Sequence, residues 1–126
     1  MKFATTLRGA AAAAIVVVST QASVAGECRH DYCWGGLAAG QNGIAARASG
    51  FRTATEAWDR VAKICNDKCQ EILVFPMGCG AIVQVDRDLT VAGFGDSYEK
   101  ALSEAVRICE AKGGRTCAVR VHTCSH

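Results

Sequence analysis

Eight cysteines and three histidines are the residues of this 126-residue chain best suited to hold a metal, carry electrons or act as nucleophile and base. Cys65-(x3)-Cys69 and Cys109-(x7)-Cys117 put four thiols in two spaced pairs, and zinc accepts four thiolates. The second spacing is longer than the two to four residues of common zinc knuckles, and no Cys-x-x-Cys offers a dithiol redox centre. His122-Thr123-Cys124-Ser125-His126 could bind copper or zinc only loosely, since it ends the chain, where fraying is usual. His30 stands alone. No Gly-x-Ser-x-Gly, His-Glu-x-x-His or phosphate-cradling glycine loop occurs. Asp86 and Asp88 read as turn residues whose side chains bond their own backbone. Neither catalytic residues, a metal nor a cofactor is assigned.

What remains for the cysteines is oxidation, and the first residues supply the compartment. Lys2 and Arg8 precede a short apolar run over 10–18, and Ser23-Val24-Ala25 offers small residues where a signal peptidase reads. The cut is placed after Ala25, with Ala22 second. The run is well short of the roughly 20 residues a bilayer crossing needs, so no membrane anchor is expected. The chain is read as exported, to the periplasm or outside the cell. All eight cysteines follow residue 25, an even number in an exported chain, which predicts a disulfide framework. Lys2 and Arg8 fall in the leader, leaving 12 basic against 12 acidic residues, with no basic run. That balance excludes nucleic acid and anionic membrane as partners and leaves an unknown protein.

The elements that must position these residues come in two similar sets. Gly35-Gly36-Leu37 corresponds to Gly80-Ala81-Ile82, Cys79 corresponds to Cys124, and Thr53-(x3)-Ala57-(x7)-Cys65 is matched by Ser97-(x3)-Ala101-(x7)-Cys109. Residues 26–126 are therefore one domain of two repeats, about 34–78 and 79–124, behind a 1–25 signal peptide. In the first repeat, strands over 35–39 and 44–49 flank Gly40-Gln41-Asn42-Gly43, a hairpin signal because Asn-Gly tolerates positive φ. Thr53-Ala54-Thr55-Glu56 fits a capping box. Ala57, Val61, Ile64 and Cys65 form the apolar stripe of the helix that follows, which ends at Asn66-Asp67. Trp58 beside that stripe reads as core, and Phe51 as a staple on the first turn. Both, with Trp34 and Phe94, are also candidate binding anchors. A strand over 70–75 stops at Pro76.

The second repeat gives strands over 80–85 and 89–94, a helix capped by Asp96 or Ser97 and closed at Gly113-Gly114, and a strand over 117–123. The fold class is α+β: a tandem ββαβ repeat of about six mostly antiparallel strands, both helices covering one face of one sheet, stapled by disulfides.

Trp34-Gly35-Gly36-Leu37-Ala38, Ala57-(x7)-Cys65-(x3)-Cys69, Cys79-Gly80-Ala81-Ile82 and Ala101-(x7)-Cys109-(x7)-Cys117-(x6)-Cys124 resemble a family of exported bacterial proteins, the domain of unknown function numbered 4189. The resemblance covers residues 34 to 124 and implies no reaction. Cys28 and Cys33 lie at or outside its edge.

The repeat itself suggests the pairing. The cysteine ending each helix faces the one opening the next strand, giving Cys65-Cys69 and Cys109-Cys117. Equivalent Cys79 and Cys124 join each other, and Cys28 pairs with Cys33. For a partner surface, strand 70–75 carries Ile72 and Val74 on one face, with Leu73 and Phe75 on the other. Its counterpart keeps Val119 and Val121 but has Arg120 and His122 in the alternate places. With the valines toward the helices, Leu73, Phe75, Arg120 and His122 look outward as a mixed apolar and basic patch, joined by Arg47 and Gln84. The alternative is that the Trp34 segment or loops cover Leu73 and Phe75. The function read from the sequence is an exported protein-binding module, with inhibitor-like action on an enzyme among the candidates, present as a monomer or two-fold dimer. The alternative is a small secreted hydrolase whose site assembles only in the fold.

Overall fold

A computed structural model describes residues 22–25, 28 and 32–126. Lys2, Arg8 and the apolar run of the expected leader, together with His30, lie outside the described residues. The elements in order are β1 (Ala22–Ala25), β2 (Trp34–Gly40), β3 (Ala45–Phe51), α1 (Ala54–Cys65), β4 (Cys69–Pro76), β5 (Cys79–Gln84), β6 (Thr90–Gly95), α2 (Tyr98–Ala111) and β7 (Ala118–Cys124). They form two sheets, ordered β1-β3-β2-β4 and β6-β5-β7. All pairings are antiparallel except that of β1 with β3. The α+β class with disulfide staples is thus the architecture of the chain.

Local chemistry sets the element ends. Thr53 is the N-cap of α1, its hydroxyl accepting from Glu56 N–H at 3.1 Å, and Asn66 closes the helix in the left-handed conformation. Ser97 caps α2 by accepting from Lys100 N–H at 3.2 Å. Beyond its end Gly113, at φ +86, lets Gly114 N–H reach back to Cys109 O at 2.9 Å. Asn42 and Gly43 both take positive φ in the first hairpin, as Asn-Gly permits.

The single-sheet arrangement is corrected by the topology. Each sheet is apolar on both faces, so one helix cannot satisfy it, and the two sheets stack on each other with a helix on either outside. Ala38, Ala46 and Ala48 pack under Val61 and Cys65 of α1. Ala81, Val83 and Val91 pack under Ala101, Ala105 and Cys109 of α2. Between the sheets lie Leu37, Ala39, Phe75, Ile82 and Val121, with Leu73 at their margin. Small residues let the layers approach closely: a Cβ on Gly36 would stand 3.1 Å from Ala57 O, and one on Gly93 would overlap the backbone of Ala101 and Ala105. Trp58 is half-exposed rather than core, because Ala57, Val61 and Cys65 take the face of α1 that meets the sheet.

Disulfides join Cys28 to Cys33, Cys65 to Cys69, Cys79 to Cys124 and Cys109 to Cys117. The first anchors the lead-in to β2. The second and fourth each tie a helix end to the strand that follows it. The third fastens β5 to β7 across their paired ends.

The outward patch is likewise corrected. Leu37 pairs with Leu73 and Gly35 with Phe75, which turns both β4 side chains toward the other sheet, and Phe75 is only 4% exposed. In the second sheet a β-bulge shifts the register between Ile82 and Val83, so β5 pairs Ile82 with Val121 but Val83 with Val119. The bulge breaks the simple alternation. Val121 and not Arg120 stands where Leu73 does, and His122 falls on the helix side, opposite Ala81.

Candidate functional site

The six residues of the expected patch separate into three places. Leu73 and Phe75 lie between the sheets. His122 meets α2, its ring 4.2 Å from that of Tyr98. Arg120 and Gln84 come together at the hairpin end of the stacked sheets, and Arg47 lies half-buried on the inter-sheet face of β3, opposite Leu37.

At the hairpin end the bulge aims Arg120 across the sheet interface. Its guanidinium donates to Gln84 Oε1 at 2.6 Å, to Gly40 O at 2.8 Å and to Ile44 O at 3.2 Å. Gln84 is itself fixed by donating to Asp86 O and, at 3.1 Å, to Leu89 O. Gly40 and Ile44 flank the β2-β3 turn, so one side chain of the β6-β5-β7 sheet satisfies carbonyls of the other sheet. A cavity of about 340 Å³ opens beside it, lined by Gln41, Asn42, Gln70, Arg87, Asp88 and Thr90 among others. Planar bidentate-type bonding of this kind holds a geometry, and we read Arg120 as a fastener between the sheets.

The opposite end has another character. Trp34 opens β2 and pairs with Phe51 and Pro76, while Cys79 opens β5 and pairs with Gly95 and Cys124. The strands of both sheets therefore end together, joined by Gly50 N–H to Ser125 O and Ser125 N–H to Gly78 O, both 2.7 Å. Here apolar side chains face solvent: Tyr32 is 56% exposed, Met77 46% and Phe94 44%. Tyr32 sets its ring edge-on to Trp34, with centroids 6.0 Å apart. Phe94 lies against buried Phe75, with centroids 5.7 Å apart. Met77 is held in the left-handed region at φ +40, with its N–H donating to Cys33 O at 3.0 Å.

A residue of that type in that conformation costs about 1–2 kcal/mol. The Pro76-Met77-Gly78 linker leaves no alternative, since Gly78, at φ +129, sits against Gly95 O. Phe94 was among the sequence's candidate anchors. Tyr32 and Met77 were missed there, although an apolar residue between Pro and Gly, where one strand ends and the next begins, is a signal for an exposed turn.

Among the described residues one nucleophile-and-base contact occurs. Ser125 Oγ lies 3.2 Å from His126 Nδ1, the pairing a hydrolase would use. Yet Ser125 is fully buried and its hydroxyl accepts from Gly78 N–H at 3.0 Å, so the oxygen braces the seam and faces no substrate. Among the described residues no three His, Cys, Asp or Glu side chains are grouped to hold a metal, and no helix is long and apolar enough to cross a membrane.

A family model described as a domain of unknown function, DUF4189, matches residues 34–124. The chain belongs to that family. No curated protein and no solved structure matches it. The DUF4189 match runs from Trp34 to Cys124, the two residues that open β2 and close β7. It takes in β2 to β7, both helices and three of the four disulfides, and leaves β1 and the Cys28-Cys33 disulfide with Tyr32 outside.

Proposed function

We propose that this DUF4189 protein is exported by cleavage after Ala25 and acts as a protein-binding module built from two copies of a ββαβ unit. The contact surface is the aromatic end. The observation that carries this reading is the grouping there of exposed Tyr32, Met77 and Phe94 on a frame fixed by two disulfides, Cys28-Cys33 and Cys79-Cys124. Aromatic residues and methionine are enriched at the cores of protein interfaces, and clustered apolar side chains on a small exported domain are otherwise a solubility liability. Rigid backbone beneath them reduces the ordering cost of association.

Site-specific photocross-linking tests it. A benzophenone amino acid replaces Phe94 at the aromatic end or Leu89, 39% exposed, at the hairpin end. In the producing cells, position 94 is expected to capture a discrete protein and position 89 is not. Equal capture from both positions, or none from 94, rejects the aromatic end as the contact surface.

A further inference from the structure

The strand edges of the two sheets are not equally protected. On β4, Glu71 and Pro76 discourage a further strand, and β7 is interrupted by its bulge at Arg120. β3, with the sequence Ala45-Ala46-Arg47-Ala48-Ser49-Gly50-Phe51, has no proline, and its own bulge, at Ser49-Gly50 against β2, leaves Ala45 to Ala48 regular. That edge is covered instead by β1, lying parallel with Ala22 beside Ala46, Ser23 beside Arg47, Val24 beside Ala48 and Ala25 beside Ser49. These four residues are the last of the leader. On the export reading, hydrolysis of the Ala25–Gly26 bond removes the strand that closes the sheet.

We propose that the outer edge of β3 is a strand-docking site, filled by Ala22–Ala25 before cleavage and by an extended segment of a partner protein afterwards. The edge supplies backbone donors and acceptors for a fourth strand, the usual basis of strand addition. Its neighbours specify the side chains. Ala46 and Ala48 are buried beneath α1, so the incoming residues beside them are small and apolar, like Ala22 and Val24. Arg47 points to the other face, and among the described residues its buried Nε has no hydrogen-bond partner. A residue in the place of Ser23 stands directly beside Arg47, and a carboxylate there gives the guanidinium the acceptor it lacks. A second copy of β3 brings another arginine and no acid. The occupant is therefore a foreign segment of alternating small and acidic residues, running parallel to β3.

Three measurements decide it. The intact mass of the protein from its producing cells is expected to begin at Gly26; retention of residues 22–25 fills the edge in cis and overturns the proposal. The mature chain is then mixed with a peptide of residues 20–25, or with its Ser23→Asp form. Hydrogen exchange is expected to slow at amides within 46–49 and nowhere on β4 or β6, with the Asp peptide binding about tenfold tighter. Arg47→Gln is expected to remove that tenfold difference. Absence of protection, protection at another edge, or equal affinities overturn it, as does a dimer by light scattering whose 46–49 amides are protected without peptide. Since cross-linking at Phe94 reads the opposite flank of the molecule, failure here leaves the aromatic end untouched.

Discussion

The ring of Phe75 occupies the space that a side chain on Gly80 would need. A Cβ built on Gly80 stands 2.9 Å from Phe75 Cε1, and one on Gly35 stands 2.6 Å from Cζ. One aromatic ring from β4 is thus seated over glycines of both sheets. Phe75→Ala is expected to cost about 3–5 kcal/mol through the cavity it leaves. Gly80→Ala should cost about 1–3 kcal/mol by overpacking. Because the two sites share one volume, Phe75→Leu combined with Gly80→Ala is expected to cost less than the sum of the single changes. Urea unfolding of the four proteins in a double-mutant cycle measures the coupling.

Arg120 tests the fastener at the other end. Arg120→Ala strands Gly40 O, Ile44 O and Gln84 Oε1 and is expected to lose about 2–4 kcal/mol, since removing one partner leaves the others desolvated. Arg120→Lys should recover little, because an ammonium cannot span three acceptors as a planar fork does. Chemical denaturation gives both values. A lysine variant as stable as the parent contradicts the role.

The disulfides should differ in weight. In the chain-entropy account the cross-link over 45 residues, Cys79-Cys124, contributes about 4 kcal/mol and the one over 4 residues, Cys65-Cys69, about 2. Paired Cys→Ser substitutions compared by thermal melting are expected to keep that order. The reverse order would mean that the helix–strand staple constrains more of the folded chain than its loop size indicates.

How far the sequence reaches can be judged at particular residues. Thr53, Ser97 and Asn66 announced the helix ends because capping is local chemistry. The α+β class followed from periodicity, which is also local. The stacking of two sheets was not legible, because alternation along a strand says which residues share a face and not what covers it. Leu73 and Phe75 were rightly separated from Ile72 and Val74, then wrongly given to solvent. Arg120 and His122 were misplaced for a different reason: a bulge moves every later residue to the other face, and nothing in Ala118–Cys124 marks the extra residue. The aromatic end escaped because Tyr32, Met77 and Phe94 belong to three segments that only the folded chain brings to one end.

Met77 offers the sharpest separation of stability from function. Its φ of +40 is unfavourable for any side chain, and its thioether stem is nearly half exposed, so the fold gains little from what it holds there. Met77→Gly relieves the backbone and removes the apolar group at once. Since glycine also loses more freedom on folding, the net gain in stability is expected to be no more than about 1 kcal/mol. Met77→Ala keeps the strained backbone, shortens the side chain and should leave stability within about 0.5 kcal/mol of the parent. If the aromatic end is a contact surface, both variants weaken cross-linking from position 94 to a similar extent although only one becomes more stable. Apolar contacts kept at a cost in stability are the usual mark of a surface retained for binding. Melting curves alongside cross-linking yields decide the matter: a loss of capture that tracks the change in stability, or no loss in either variant, assigns Met77 to the turn alone.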